Sequence, residues 1–289
     1  MKYYGKVFRP PSEASSLIIQ CTVGCSHNQC TFCGMYKEDR FRLRPLEDIL
    51  RDLEQLAPYR HVYRRVFLGD GDALILPMES LRAILKKIKQ VFSSVERIGI
   101  YASPKSIETK TVGELKELKD LGLGIAYLGL ESGSETILKK VKKGSTAEEI
   151  LALSKRIKEA GILLSVTLIS GLGGKELTKE HAIKSAHIVS QMAPDYLGLL
   201  TLMQEPATEL YRDIREGRFQ VLSPREVLEE TRLLVSLIEG ENILFRSNHA
   251  SNYLALRGNL AEDKKTLLDS IDLALGGKES LRAEAHRAL

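Results

Sequence analysis

Apolar residues recur along the chain in two alternating patterns. Short apolar runs, each ending in glycine or polar residues, predict β-strands, and stripes at helical spacing follow them. The runs that predict strands are residues 17–19, 66–68, 98–101, 124–130, 162–169, 196–201 and 243–246. The clearest helical stripes are residues 46–56, 81–92, 224–239 and 262–275. Strands separated by helices in this way indicate repeated βα units and a parallel sheet, and therefore an α/β fold.

Three local signals predict where helices begin. Pro45 stands where a first helical residue is expected. Ser132 with Glu135, and Ser145 with Glu148, have the spacing of a capping box, in which a serine hydroxyl and a glutamate satisfy the first backbone N–H groups.

Composition narrows the class of protein. The 289 residues are 43% hydrophobic, which is enough for one large domain covering residues 1–289. The net charge is only +4 with both signs interspersed, so we expect no nucleic-acid partner, and the basic run 139–143 is expected to be a solvated face. No apolar stretch approaches the roughly 20 residues of a membrane helix, and residues 1–16 contain no apolar signal core. We therefore expect a cytoplasmic protein without a membrane partner.

All four cysteines lie between Cys21 and Tyr36, and Cys25, Cys30 and Cys33 have the spacing C-x4-C-x2-C. Such a cluster on one loop indicates a metal or an iron–sulfur cluster rather than disulfides. Three thiolates on a cubane leave one iron open to an outside ligand. Two alternatives remain: Cys21 as a fourth ligand that closes the cluster, or a structural zinc with His27 competing as a ligand. As the last residue of an apolar run, Cys21 also fits a small packed hydrophobe.

Polar loops follow three later strands, at the sheet edge where chemistry belongs in α/β folds. The segment Asp70-Gly71-Asp72 could be an ordinary turn or could hold a divalent metal. Glu131 and Ser132 could accept and donate hydrogen bonds to vicinal hydroxyls, or simply cap a helix. The loop 170–174 is not a phosphate loop, because Lys175 is followed by a glutamate rather than Ser or Thr.

Taken in order along the chain, these motifs resemble the radical SAM superfamily. The resemblance covers about residues 17–201 and rests on the cysteine loop with Phe32, on Asp70-Gly71-Asp72 in place of a Gly-Gly-Glu motif, on Gly-Leu-Glu-Ser-Gly at 129–133, and on Ile169-Ser170-Gly171. The C-x4-C spacing is one residue longer than the usual C-x3-C. The resemblance implies a partial (β/α)6 TIM-like barrel, with a core at about 17–201 and a short C-terminal extension at about 202–289.

The resemblance also implies a set of ligands. Cys25, Cys30 and Cys33 would hold a [4Fe-4S] cluster whose open iron binds S-adenosylmethionine. The residues implied for cofactor binding are Phe32, Gly71, Asp72, Glu131, Ser132, Ile169 and Gly171.

The activity implied is reductive cleavage of S-adenosylmethionine to a 5′-deoxyadenosyl radical, which abstracts hydrogen from an unidentified substrate. Reduced flavodoxin or ferredoxin would supply the electron. The alternative from another class is a closed-cluster electron-transfer or iron–sulfur binding protein, and an RNA-modifying enzyme would need a basic face. The polar loop 246–253 follows the last predicted strand, so Asn248, His249 and Tyr253 are the candidates for substrate contact.

Overall fold

The computed structural model describes residues 2–288, in which strands and helices alternate. The strands are β1 (Leu17–Gln20), β2 (Thr22–Val23), β3 (Arg42–Leu43), β4 (Arg65–Gly69), β5 (Arg97–Ala102), β6 (Leu123–Glu131), β7 (Leu163–Ser170), β8 (Tyr196–Thr201), β9 (Leu244–Ser247) and β10 (Leu256–Asn259). The α-helices are α1 (Leu46–Gln55), α2 (Met78–Val91), α3 (Pro104–Glu108), α4 (Val112–Asp120), α5 (Glu135–Lys140), α6 (Ala147–Glu159), α7 (Gly174–Met192), α8 (Glu209–Arg215), α9 (Pro224–Leu237) and α10 (Leu260–Leu275). Short 3-10 helices lie at Pro11–Glu13, Ala57–Tyr59, Ala73–Ile75 and Glu284–His286.

Eight of the strands form one sheet in the order β1-β4-β5-β6-β7-β8-β9-β10. The pairs β1–β4, β4–β5, β5–β6, β7–β8 and β8–β9 are parallel, whereas β9–β10 is antiparallel. The α/β class with a parallel sheet is therefore confirmed. The short elements β10 and α8 and the antiparallel ribbon β2–β3 were not predicted, because they are too short to show a period.

The described residues divide into two compact units. The first contains the chain up to Asn28, Met35–Leu128 and Ala152–Leu164, and the second contains Gln29–Gly34, Gly129–Leu151 and the chain from Ser165 onward. In the first unit, Phe67 packs edge-to-face on Tyr101 and Tyr127, with ring centroids 4.9 and 5.7 Å away. In the second unit, α9 lies against both α7 and α10.

A buried ion pair fixes α1 in the first unit. Arg44 donates from Nη2 to Asp52 Oδ2 at 2.8 Å, and its Nη1 donates to the carbonyl of Gln20 at the end of β1. The two side chains are 4% and 11% exposed. The Arg44 N–H also donates to the carbonyl of Cys21. This pair therefore joins α1 to the strand that leads into the cysteine loop.

Three predicted helix starts are wrong by one or two residues. Pro45 is the N-cap of α1 rather than its first residue. The N-cap of α5 is Ser134, because the hydroxyl of Ser132 is hydrogen-bonded to a histidine ring instead. The capping box before α6 joins Thr146 to Glu149, one residue beyond the predicted pair.

Within residues 2–288, no helix combines the length and the apolar character needed to cross a membrane.

Asp52→Ala should destabilise the protein strongly, since it leaves the Arg44 guanidinium buried without its counter-charge. Removing one partner of a buried pair costs about 3–5 kcal/mol, measured here as the free energy of unfolding in urea. The matched control on the same helix is Asp48→Ala, which removes only the exposed partner of Arg51 and should change stability little. Equal effects of the two substitutions would contradict the role given to Arg44.

Candidate functional site

The cysteine loop begins with a thiol that is wholly buried. Cys21 has no exposed surface, and its Sγ donates to the carbonyl of Ile19 at 3.5 Å. Burial raises the pKa of the Cys21 thiol to about 12, against the opposing effect of Arg44. A buried thiol that stays protonated is a poor metal ligand, because the thiolate is the form that binds metals.

The other three cysteines are half-buried, and no disulfide joins any of the four. Cys25 belongs to the first unit, whereas Cys30 and Cys33 lie in the segment Gln29–Gly34 of the second unit. Within residues 2–288, the structure gathers no group of three or more His, Cys, Asp or Glu side chains that could hold a metal ion.

The segment that carries Cys30 and Cys33 is anchored within the second unit by the residues between them. The Thr31 N–H donates to the carbonyl of Val141, and the Thr31 carbonyl accepts from the N–H of Leu210. Phe32 packs on an apolar cluster whose buried members are Ile137, Val141 and Leu172 and whose partly buried members include Ile169. The structure thus brings together two predicted cofactor residues, Phe32 and Ile169.

In the first unit, the turn after β4 lies directly against the start of the cysteine loop. A Cβ atom on Gly71 would come 2.8 Å from the carbonyl oxygen of Gly24, 2.9 Å from the ring of Tyr36 and 3.0 Å from Cα of Cys25. No side chain fits at such distances, so glycine is required here by close approach of the two backbones. Gly71, a predicted cofactor residue, therefore lies directly against Cys25, a predicted ligand of the cluster.

Asp72 is a fully buried carboxylate with one unpaired oxygen. Its Oδ2 accepts from Ser26 Oγ at 2.5 Å and from Ser103 Oγ at 2.7 Å. Its Oδ1 has no hydrogen-bond partner among residues 2–288. Burial raises the pKa of Asp72, against the lowering effect of the serine hydrogen bonds. A buried carboxylate oxygen without a donor, at the carboxyl end of a strand, calls for a partner such as a ligand that donates hydrogen bonds.

Asp70 has different partners from Asp72. It accepts a hydrogen bond from the hydroxyl of Tyr36, and burial raises its pKa to about 6. The backbone N–H of Phe8 and the amide of Gln20 also donate to Asp70, both at 3.4 Å. Asp70 is therefore hydrogen-bonded on both oxygens, whereas Asp72 has one oxygen without a partner within residues 2–288.

Glu131 at the end of β6 is held in an unusual backbone conformation. Its φ of 65° is left-handed, a region that side chains other than glycine rarely adopt. Its carboxylate forms an ion pair with Lys143 at 3.0 Å, and both side chains are only 12–13% exposed. The basic run 139–143 was expected to be a solvated face, and this expectation is wrong for Lys143, which is largely buried against Glu131. Its last residue is directed at a predicted cofactor residue.

At the end of β7, a buried glutamate from α9 binds the loop predicted to contact adenine. Glu230 Oε1 accepts from Ser170 Oγ at 2.7 Å and from the N–H of Gly171 at 2.8 Å. Its Oε2 accepts from Thr178 Oγ1 at 2.7 Å. The carboxylate therefore fixes the path of the backbone at Gly171, where φ is 83°.

The loop 246–253 contributes one side chain to a cavity in the second unit. Tyr253 lines a space of about 200 Å³ together with Ser170, Gly171 and Thr201. The Tyr253 hydroxyl donates to Glu284 at 2.6 Å, and the guanidinium of Arg287 lies 4.2 Å from the centre of its ring.

The other two substrate candidates lie in different surroundings. Asn248 is exposed. His249 is half-buried, and its Nδ1 accepts from the backbone N–H of Ser251 at 3.1 Å. Burial lowers the pKa of His249, and the nearby Arg282 lowers it further. Of the three candidates, Tyr253 is the one that shares a cavity with a predicted cofactor residue.

The sequence reasoning missed Glu230 and His181, although each carried a signal. Glu230 falls on the apolar face of α9 with Val227 and Leu234 as neighbours one turn away, and His181 falls on the buried face of α7. A charged or ionisable residue in an apolar stripe indicates a buried polar contact. By contrast, the contacts of Asp72 with Ser26 and Ser103 join residues far apart in sequence, and no local pattern indicates them.

The family model of the Radical SAM superfamily matches residues 19–187. Among curated proteins, heme chaperone HemW of Bacillus subtilis (strain 168) is 22% identical over 227 residues, covering 76% of this chain and 59% of that protein. The tRNA-2-methylthio-N(6)-dimethylallyladenosine synthase of Fusobacterium nucleatum is 26% identical over 270 residues, with coverages of 84% and 61%. The chain thus spans about six-tenths of the length of these curated relatives.

Two solved structures show the same fold. Coproporphyrinogen III oxidase (HemN) from Escherichia coli has a TM-score of 0.58 and 20% identity, covering 76% of this chain and 52% of that one. Methylornithine synthase (PylB) has a TM-score of 0.54 and 17% identity, covering 92% of this chain and 83% of that one. These similarities confirm the predicted fold class, the α/β fold of TIM-like partial barrels. Because the family match spans more than half of the 289 residues, the protein belongs to the radical SAM superfamily.

Proposed function

We propose that the protein is a radical SAM enzyme in which Cys25, Cys30 and Cys33 hold a [4Fe-4S] cluster and S-adenosylmethionine binds its open iron. The observation that carries the proposal is the unpaired buried oxygen of Asp72, one residue from the glycine that lies against Cys25. When bound, the cluster and S-adenosylmethionine would supply a 5′-deoxyadenosyl radical for hydrogen abstraction. Family membership supports the same conclusion.

The first-unit residues suit the amino-acid end of the cofactor. Asp72 Oδ1 would accept from the ammonium group of the methionine moiety, since a buried carboxylate gains most from a charged donor. Ser26 and Ser103 hold Asp72 Oδ2 and so fix the direction in which Oδ1 faces. Gly71 allows the backbone of this turn to approach Cys25 closely.

The second-unit residues suit the nucleoside end. Glu131, and the loop that carries Ser132, would contact the ribose or methionine part, and Ile169 with Gly171 would contact adenine, as the resemblance implies. The Ser132 hydroxyl itself is buried and hydrogen-bonded to His181. Phe32 and Ile169 belong to one apolar cluster, which offers a surface for an aromatic base. Lys143 holds the Glu131 carboxylate in place, so that less rotational freedom is lost when a ligand binds.

The electron donor proposed is reduced flavodoxin or ferredoxin, and the substrate is left open because the chain spans only part of its relatives. Asn248, His249 and Tyr253 stay candidates for substrate contact, of which Tyr253 lines the cavity beside Gly171.

The deciding experiment is anaerobic incubation of reconstituted protein with S-adenosylmethionine and dithionite, followed by chromatography for 5′-deoxyadenosine. A protein that carries the cluster but forms no 5′-deoxyadenosine would instead be an electron carrier.

Cys21→Ala should retain about four irons per chain after reconstitution, whereas Cys30→Ala should lose them, because three thiolates suffice for an open cubane. The buried Cys21 thiol, hydrogen-bonded to Ile19, is expected to contribute packing alone. Iron and sulfide analysis with the visible absorption spectrum gives the comparison. Loss of the cluster from Cys21→Ala to the same degree would indicate a closed four-cysteine site and an electron-transfer protein.

Gly71→Ala should lower the iron content of the reconstituted protein, because the added methyl group would displace the backbone at Gly24 and Cys25. Gly113→Ala is the matched control, since a Cβ at Gly113 would meet nothing nearer than 3.9 Å. Iron retention measured side by side checks the effect. If the two variants retain equal iron, the turn after β4 does not shape the cysteine loop.

Asp72→Asn should weaken S-adenosylmethionine binding while the cluster stays intact, because the amide keeps the shape but removes the charged acceptor. Hydrogen bonds to charged groups contribute about 1.5–3 kcal/mol, and anaerobic titration calorimetry measures the change. Glu79→Gln, near the start of α2, is the control and should leave the affinity unchanged. An unaltered affinity in Asp72→Asn would remove this residue from the cofactor site.

A further inference from the structure

Buried polar side chains lie in series between the ends of β6 and β7 within the second unit. His181 on α7 is 1% exposed, and its Nδ1 lies 2.8 Å from Ser132 Oγ. Its Nε2 lies 3.9 Å from Glu230 Oε1, the oxygen that accepts from Ser170 and Gly171, and has no hydrogen-bond partner within residues 2–288. The interaction between His181 and Glu230 is therefore electrostatic and not a hydrogen bond. One histidine ring therefore lies between the two loops that the resemblance assigns to the nucleoside.

The Glu230 carboxylate near Nε2 favours one tautomer of the His181 ring. Ser132 Oγ accepts from the N–H of Ser134 at 3.1 Å and has its hydroxyl proton available for His181 Nδ1. The ring proton then resides on Nε2, where it faces the carboxylate of Glu230 and is attracted to it. The opposite tautomer would point a lone pair at that carboxylate and is disfavoured. Burial lowers the pKa of His181, against the raising effects of Glu230 and of the Ile169 backbone.

Glu230, His181 and Ser132 are the residue types of a nucleophilic triad. Ser132 is nevertheless not placed to attack a substrate. Its side chain has no exposed surface, and its oxygen already accepts from a backbone N–H. A nucleophile must reach a substrate atom. The series therefore acts on the backbone that carries Glu131 and Gly171 rather than on a substrate directly.

The same helix also holds the neighbouring residue of the β6 loop. Ser185, one turn after His181 on α7, accepts from the N–H of Gly133 at 2.8 Å. A Cβ at Gly133 would collide with the backbone at Lys184, so the loop lies directly on α7. Glu180, also on α7, accepts from the hydroxyl of Ser134 at 2.6 Å. His181, Ser185 and Glu180 together therefore hold the loop after β6 on α7.

We propose that His181 and Glu230 are positioning residues that set the separation of the Glu131–Ser132 loop from the Ile169–Gly171 loop, and thereby the fit of the nucleoside part of S-adenosylmethionine. This proposal rests on the proposed function. Neither residue would touch the ligand. Both would control the affinity for the nucleoside, and neither would affect assembly of the cluster or binding of the amino-acid group to its iron.

The test is anaerobic titration calorimetry of reconstituted protein with S-adenosylmethionine and with 5′-methylthioadenosine, which lacks the amino-acid group. His181→Phe fills the space but cannot accept from Ser132, and we expect both ligands to bind about tenfold more weakly, equivalent to about 1.4 kcal/mol. His181→Asn keeps an acceptor near the Nδ1 position and should restore most of the affinity. The iron content, and the change in the electron paramagnetic resonance spectrum of the reduced cluster at saturating S-adenosylmethionine, should match the unaltered protein.

His187→Phe is the matched control, because it replaces an exposed histidine on the same helix. Glu230→Gln tests the other end of the series and should weaken both ligands without lowering the iron content. Equal affinities in His181→Phe and His187→Phe, or weakening confined to S-adenosylmethionine while 5′-methylthioadenosine is unaffected, would overturn the proposal. Should His181→Phe fail to fold, His181→Asn and Glu230→Gln decide by the same readouts. If the unaltered protein binds neither ligand, the proposed function itself fails and this proposal falls with it.

Discussion

The close approach of two backbones at Gly71 is the constraint on which the proposed site depends. The turn after β4 leaves no room for a side chain, so the start of the cysteine loop lies on it with Cys25 in direct contact. The same turn delivers the carboxylate of Asp72 one residue later. Sterics at one glycine therefore fix two different parts of the proposed site, a thiol ligand and an acceptor for the cofactor.

Asp72 and Glu230 are both buried carboxylates, but they differ in how much of their hydrogen-bonding capacity the protein uses. Asp72 accepts on one oxygen and has no partner for the other within residues 2–288, which is costly unless a ligand satisfies it. Glu230 accepts on both oxygens, from Ser170, Gly171 and Thr178. Because its hydrogen-bonding capacity is used inside the protein, Glu230 can set the backbone but has little left to offer a ligand.

The alternation of strands and helices was predictable from the sequence because buried strands and amphipathic helices have different periods. Seven strands were predicted close to their observed bounds, for example Tyr196–Thr201. Helix starts were less predictable, since Ser132 and Ser134 are chemically equivalent as caps until His181 takes one hydroxyl. The candidate loops also followed from the sequence, because the carboxyl ends of parallel strands lie at one sheet edge. The partners of Asp72 did not follow, because Ser26 and Ser103 approach it only through the tertiary fold.

Glu230 on α9 links the C-terminal part of the chain to the part that the family model covers. This contact limits which segments could be exchanged with those of a relative. The family model ends at residue 187, yet Glu230 beyond it supplies the acceptor for Ser170, Gly171 and Thr178 inside it. A transplanted core without α9 would leave three donors unsatisfied where adenine is expected to bind. The segment after residue 201 is therefore an integral part of the second unit, where the nucleoside is proposed to bind, and chimeras with relatives would need to carry α7 and α9 together.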